Sequence, residues 1–198
     1  MRLKTVLFSL LLVVAFIGFV SVGITHAALD FADWSGTWFA VNVSLTGKAA
    51  PVVPPSNIVT SNETATAYLL VETSAPPGYD VVYCTFDGSV WTRHTGLEWL
   101  VVGEPENFLA FFNFPYSDHL RNRGGEYWIA LNVKGKENPN MVGAINSASF
   151  KSFSGVFVEE RGDTGEGAMG SVKFTGKFIK PSQVVDMVPT GCRIPIVY

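Results

Sequence analysis

The residues best spaced for chemistry lie together just beyond the middle of the chain. The group consists of Tyr116, Ser117, Asp118, His119, Arg121 and Arg123. Two guanidinium groups can hold a carboxylate or phosphate through paired hydrogen bonds, and an imidazole can serve as an axial ligand to haem. A solvated loop has the same composition, and we favour that simpler interpretation.

Other catalytic or metal-binding patterns are sparse. No Gly-x-Ser-x-Gly elbow marks a nucleophilic serine. Glu159 and Glu160 are neighbours on a predicted strand, so their carboxylates point to opposite faces and cannot act on one substrate atom. A calcium site at Asp163 and Glu166 is less favoured than a solvated hairpin tip. His94 lies at an apparent strand break over residues 92–96 and is expected to be an exposed turn residue. We therefore expect no metal, no cofactor and no catalysis.

The chain has two cysteines, Cys84 and Cys192. In an exported protein an even pair indicates one structural disulfide, and two buried free thiols are the alternative. A disulfide would leave no thiolate for nucleophilic or metal chemistry.

The first residues have the pattern of an export signal. Arg2 and Lys4 precede an apolar run over residues 6–24, and small residues follow at Ala27 and Ala28. We expect a signal peptide over residues 1–27 and one secreted domain over residues 28–198, in the periplasm or outside the cell. An uncleaved membrane anchor is the alternative. The net charge of −3 gives no electrostatic reason to expect nucleic acid, and the signal is the only predicted contact with a membrane.

The elements that position these residues are β-strands, because apolar and polar residues alternate with period two. The predicted strands are residues 38–45, 64–73, 80–86, 97–102, 107–114, 127–133, 149–159 and 171–179. With hardly a helix among them, about eight antiparallel strands predict an all-β fold, either a closed up-and-down barrel or a β-sandwich or jelly roll. Strands that are apolar on both faces favour the barrel. The Pro-rich connection over residues 46–63 has the length of a lid or binding loop, with an ordered surface excursion as the alternative.

Residues 34–40, Trp-Ser-Gly-Thr-Trp-Phe-Ala, resemble the first sequence motif of the lipocalins and related secreted barrels. The resemblance implies that Gly36 permits a tight entry into the first strand and that Trp38 packs across the barrel base. It also implies that residues 46–63 form a lid over the open end. A bond between Cys84 and Cys192 would be similar to the usual disulfide of that family. The chain has no Thr-Asp-Tyr motif in its middle and no long helix after the last predicted strand.

Aromatic residues on most of the predicted strands are candidates for lining a ligand pocket. They are Trp38, Tyr68, Tyr83, Trp99, Phe112, Trp128 and Phe174. An apolar pocket of this kind predicts an exported, non-catalytic, lipocalin-like protein that binds a small apolar molecule. The alternative is an envelope or surface interaction domain whose doubly apolar strands meet another subunit. A hydrolase or isomerase that uses His119 is the least favoured function.

Overall fold

The computed structural model describes residues 29–51, 59–72, 78–86, 89–118, 123–161 and 166–193. The strands are β1 (Trp38–Pro51), β2 (Val59–Val71), β3 (Gly78–Phe86), β4 (Trp91–Glu104), β5 (Asn107–Asp118), β6 (Arg123–Asn138), β7 (Met141–Arg161) and β8 (Glu166–Ile179). The predicted all-β fold is confirmed, and a strand occupies each predicted place, in most cases with longer bounds. The predicted leader and its cleavage site lie outside the described residues.

The strands form one antiparallel sheet in chain order. Each strand pairs with its neighbours in sequence, and the sheet curls until β1 pairs with β8, from Trp38 opposite Ile179 to Pro51 opposite Glu166. The described residues thus form one curled sheet instead of the two sheets of the sandwich alternative. One end of the curled sheet contains Trp38 and the turn at residues 105–106, and we call this end the base. The strands β2, β4, β6 and β8 begin at the other end, which we call the mouth.

The inward side chains form one cluster that extends from Trp34 at the base to Phe157 towards the mouth. Rings in this cluster lie directly against glycines of the opposing strands. Phe150 occupies the space beside Gly176, and Phe157 occupies the space beside Gly170, so a side chain at either glycine would overlap a ring. Large rings alternating with glycine fill the interior from the base to the middle.

Trp34 closes the base of the sheet. It ends a short 3₁₀ turn, Phe31–Trp34, whose first N–H groups are capped by Asp30. The indole Nε1–H donates to the carbonyl of Pro105 at 3.1 Å, and the ring packs edge-on against Phe108 with centroids 5.1 Å apart. Gly36 then makes the predicted tight entry, with a positive φ of 79° that favours glycine.

Trp38 does not pack across the base, so the role that the lipocalin resemblance implied for it is wrong. Side chains alternate along a strand, and Phe39 points inward, so Trp38 must point outward. It lies 8% exposed in a second cluster with Cys84, Ile179 and Cys192. The indole that closes the base is the one four residues earlier.

The predicted lid over residues 46–63 is largely strand. Residues 46–51 extend β1 and residues 59–63 extend β2, with Ala49 opposite Val59. The alternation of the first strand continues through Gly47, which is buried, and Lys48, which is exposed. The pairing of β1 with β8 continues to Pro51, because a proline at a strand end need not donate to a neighbour. Residues 52–58 lie outside the described part.

The C-terminal segment, residues 180–193, packs on the outward side of β1 to β4. It consists of a 3₁₀ turn, Pro181–Gln183, and two single-turn helices, Val184–Met187 and Thr190–Arg193. Val188 and Cys192 are its buried residues. None of the helices in the described ranges is long and apolar enough to cross a membrane.

The predicted disulfide is confirmed. Cys84 in β3 is bonded to Cys192, 108 residues later, and both residues are fully buried. Arg93 holds the same segment by donating from Nη1 to the carbonyl of Cys192 at 2.7 Å, and its guanidinium is in turn positioned by an ion pair between Nη2 and Glu72. The C-terminal segment is therefore fastened to the sheet by the disulfide and by the hydrogen bond from Arg93.

Candidate functional site

Three of the predicted lining residues point inward. Tyr83, Phe112 and Phe174 are buried in the interior cluster. Trp99 belongs to β4, and its side chain lies outside the part of the chain that the structure describes.

Three other predicted lining residues point outward, so their assignment to the interior is wrong. Trp38 and Tyr68 lie under or beside the C-terminal segment, with the Tyr68 ring 5.3 Å from that of Trp91. Trp128 lies on the open outer surface and is 52% exposed. The reason is strand parity, since Tyr68 and Trp128 have inward-pointing neighbours on both sides in the sequence and Trp38 directly precedes the inward-pointing Phe39.

The inward aromatic residues form a stack in the middle of the interior. We call this set, Tyr83, Phe112, Phe114, Tyr127 and Phe174, the ring stack. The ring of Tyr83 is parallel to that of Phe114 at 4.3 Å between centroids, and Phe174 lies 5.8 Å from Tyr83. Tyr127 meets Phe174 edge-on at 5.5 Å. Stacked and edge-on geometries are those that aromatic quadrupoles prefer.

Phe114 and Tyr127 were not among the predicted lining residues. The signal for Phe114 was present, because it shares the alternation of Phe112 along β5. Tyr127 lies directly opposite Phe114 in the β5–β6 register, which sequence alone does not show.

Polar groups join the ring stack on the side of the mouth. We call Tyr83, Thr85, His94, Tyr127 and Glu159 the mouth layer. Thr85 Oγ1 and His94 Nε2 are 3.3 Å apart, and the imidazole lies face to face with the Tyr83 ring at 6.3 Å. Glu159 is 3% exposed on the inward face of β7, two residues beyond Phe157. The interior therefore changes from apolar at the base to hydrogen-bonding towards the mouth.

His94 is not the exposed turn residue that the sequence suggested. It belongs to β4 (Trp91–Glu104), lies opposite Tyr83 and is partly buried. The β3–β4 register shifts between Val81 and Tyr83. A bulge of this kind inserts a residue and interrupts the alternation, which is why the sequence pattern breaks there.

Burial favours the uncharged forms of His94 and Tyr83 in the mouth layer. Burial raises the pKa of the Tyr83 phenol well above its usual value of 10.0, with a further contribution from Tyr127. Burial also lowers the pKa of His94 from its usual 6.5. At neutral pH both side chains are therefore neutral groups that can donate and accept hydrogen bonds.

The described residues include only part of the His119 cluster. His119 and Arg121 lie outside the described residues, and Asp118 is opposite Arg123 where β5 and β6 meet at the mouth. In the described ranges, no three His, Cys, Asp or Glu side chains are grouped so that they could hold a metal ion. The sequence interpretation of this cluster as a solvated loop stays a prediction.

The outer surface has two contrasting faces. Around β1, β2 and β8 it is polar, and a groove of about 470 Å³ is lined by residues such as Asn42, Thr66 and Thr175. Around β5 to β7 it is apolar, and a groove of about 480 Å³ is lined by Phe111, Trp128 and Val156 among others. The second groove is a further candidate site. Of the predicted lining residues, it contains Trp128 and the inward-pointing Phe112.

No protein-family model matches the chain, and no curated protein matches it significantly.

Proposed function

We propose that the chain is an exported, non-catalytic, lipocalin-like barrel that binds a small apolar molecule carrying one hydrogen-bonding group. In this proposal the eight strands close into an up-and-down barrel, and the mouth layer is the binding site. The pairing of β1 with β8 supports the closed form. The disulfide is consistent with an oxidising, extracytoplasmic compartment, where the signal sequence would direct the chain.

The change in interior polarity carries the proposal. Buried polar groups cost free energy unless they are hydrogen-bonded, and a barrel that only needs a core would be apolar throughout. Here the base is filled by rings such as Trp34 and Phe39, whereas Thr85, His94 and Glu159 lie inward near the mouth. Apolar walls with a few placed polar groups are typical of small-molecule sites.

The site differs from the deep cup that the sequence suggested. Rings already occupy the interior from Trp34 to Tyr83, so the molecule would lie between the Tyr83 ring and the mouth. A flat molecule could stack on the ring of Tyr83 or Tyr127 and accept or donate at His94. The predicted deep hollow is replaced by a shallow site with an aromatic floor.

Titration calorimetry with a fatty acid, a retinoid and haem tests the proposal. We expect at least one of these probes to bind, and we expect Tyr83→Phe to weaken that binding about tenfold, since it removes one hydrogen-bonding group and keeps the ring. Tyr68→Phe is the matched control, because it removes the same hydroxyl from the outer surface. Absence of binding for all three probes, or equal weakening by both variants, would contradict the proposal.

The alternative function, an envelope or surface interaction domain, is favoured by a different observation. Phe153 is 78% exposed and Trp128 is 52% exposed on the outer face. Exposure of large apolar side chains to water is unfavourable, and such patches often mark an interaction site. This face and the mouth layer lie on opposite sides of the sheet, so one chain can carry both functions. A Trp128 variant that keeps full probe binding would show that the two surfaces act independently.

A further inference from the structure

Five exposed lysines lie together on the outer surface of β6, β7 and β8, from the middle of the sheet to the base. Their side chains point outward, because sequence neighbours such as Val133, Phe150 and Phe174 are buried in the interior. The net charge of −3 gives no sign of this concentration of positive charge. We call this set the lysine strip: Lys134, Lys136, Lys151, Lys173 and Lys177.

The register places these lysines close to one another. Lys134 and Lys177 lie opposite Ser149 on its two sides, so their Cα atoms are about 10 Å apart. Lys151 is diagonal to both, at about 7–8 Å. Lys173 is diagonal to Lys151 on the same strand as Lys177. These separations are close to the Debye length of about 8 Å at physiological ionic strength, so the positive charges reinforce one another.

No carboxylate lies opposite these lysines in the described ladders. None of the five forms an ion pair or a hydrogen bond with another described side chain. Cross-strand pairs of opposite charge stabilise a sheet, whereas like charges near each other destabilise it. The fold therefore gains nothing from the lysine strip, and an external anion is the group that would stabilise it. The residues that do lie opposite are small or uncharged: Ala40, Ser44, Asn107, Asn132, Ser147, Ser149 and Thr175.

Two grooves lie at the two ends of the lysine strip. The polar groove of about 470 Å³ around β1, β2 and β8 contains Lys173. A second groove, of about 350 Å³, contains Lys134 and Lys136. Glu106 also lines the second groove, where its carboxylate accepts a hydrogen bond from the N–H of Leu29 at 3.1 Å. A polymer lying across the strands would pass from one groove to the other over the centre of the lysine strip.

The side chains between the lysines indicate the class of polymer. Asn132, Ser149 and Thr175 carry amide or hydroxyl groups, which both donate and accept hydrogen bonds. A partner with repeated negative charges and many hydroxyl groups complements the ammonium groups and these neighbours together. An acidic polysaccharide has both features.

Two other anionic partners fit the lysine strip less well. Proteins that bind single-stranded nucleic acid stack successive bases on aromatic side chains, whereas the residues between these lysines are not aromatic. Phe153 borders the strip, two residues beyond Lys151 on β7. A bilayer surface is flat, so it would touch the tips of the lysines and leave both grooves empty.

We propose that the lysine strip binds an acidic polysaccharide. The carboxylate or sulfate groups of the polymer would meet the ammonium groups, and its hydroxyl groups would bond to the serine, threonine and asparagine side chains between them. The proposal does not depend on the mouth layer, because the two sites lie on opposite faces of the sheet. It goes beyond binding of a small apolar molecule, because it assigns the outer surface of β6 to β8 to an anionic polymer.

Titration calorimetry of the purified protein with alginate, dextran sulfate and neutral dextran tests the proposal. We expect at least one of the two anionic polymers to bind, more weakly as salt is added, and neutral dextran not to bind. Lys151→Gln should weaken binding about threefold, because a single exposed charge contributes modestly. The triple variant Lys151→Gln, Lys173→Gln, Lys177→Gln should weaken it about tenfold or more. Lys48→Gln is the matched control, since it removes the same charge from an exposed position of β1 outside the strip.

Absence of binding by both anionic polymers would overturn the proposal, and so would binding that the triple variant retains in full. Equal weakening by Lys48→Gln and Lys151→Gln would assign the effect to net charge and not to the lysine strip. Tighter binding of single-stranded DNA or of phosphatidylglycerol vesicles through the same lysines would assign the strip to nucleic acid or to lipid instead. Near-UV circular dichroism shows whether each variant keeps its packed core.

Discussion

The indole of Trp34 occupies the space that a side chain at Gly135 would need. A Cβ at Gly135 would lie 2.6 Å from Cζ2 of Trp34 and 2.8 Å from its Cη2. Gly135 is buried in β6, and its N–H donates to the carbonyl of Glu106 at 2.9 Å. The closure of the base thus depends on the absence of a side chain on a strand far from Trp34 in sequence.

Gly135→Ala should lower the free energy of unfolding by about 1–3 kcal/mol, because the added methyl group overpacks the base. For a domain of this size the midpoint of thermal unfolding should fall by about 2–4 °C per kcal/mol. Gly167→Ala is the control, since the nearest atom to its Cβ would be 3.9 Å away. Equal midpoints for the two variants would show that Trp34 can move aside without cost.

Removal of the disulfide by Cys84→Ala with Cys192→Ala should lower the free energy of unfolding by about 2–5 kcal/mol. The closed loop is long, and the C-terminal segment loses its covalent attachment to β3. Urea unfolding measures the change. The emission of Trp38 and Trp91, which lie in the same cluster, should shift to longer wavelength if the segment detaches. An unchanged emission would mean that packing alone holds the segment.

Glu72→Gln should destabilise the protein by about 1–3 kcal/mol, because it leaves the nearly buried guanidinium of Arg93 with a weaker partner. Arg93 Nε already has no hydrogen-bond partner in the described residues, so little compensation is available. Asp186→Asn removes one negative charge from an exposed position of the C-terminal segment and serves as the control. Chemical unfolding of both variants would separate the ion pair from a general effect of net charge.

The stability of the protein should fall in mild acid because of His94. Burial lowers its pKa in the folded state below the usual 6.5, so the unfolded chain binds more protons in that range. The free energy of unfolding therefore decreases as the pH falls from above 6.5 towards the folded-state pKa, and the loss is complete below that pKa. His94→Gln should flatten this part of the curve in urea unfolding between about pH 7 and pH 5. An identical slope in both proteins would contradict the assignment.

The sequence predicted the strands well because alternation reports directly on an inward and an outward face. Val172, Phe174 and Gly176 are inward as their pattern indicated, and so are Phe39, Val41 and Val43. The pairing of each strand with its neighbours in sequence is that of the predicted up-and-down alternative. The Cys84–Cys192 bond could be predicted because a pair of cysteines leaves one pairing.

The site was harder to predict because it depends on parity and register between strands. Trp38 matched a family motif, yet its neighbour Phe39 already pointed inward, which excluded Trp38 from the interior. His94 was missed because the bulge near Tyr83 interrupts the alternation of the β3–β4 pair. The contact of Trp34 with Gly135 joins residues about a hundred positions apart, and no local pattern reports on such a pair.

The outer surface of the sheet has two apolar areas, and in the described structure only one of them is covered. On one side the C-terminal segment, residues 180–193, packs over Trp38, Leu70 and Trp91. On the other side nothing in the described structure covers Trp128 and Phe153. Loss of the segment would therefore expose a second apolar area on the outer surface, next to the polar groove of β1, β2 and β8.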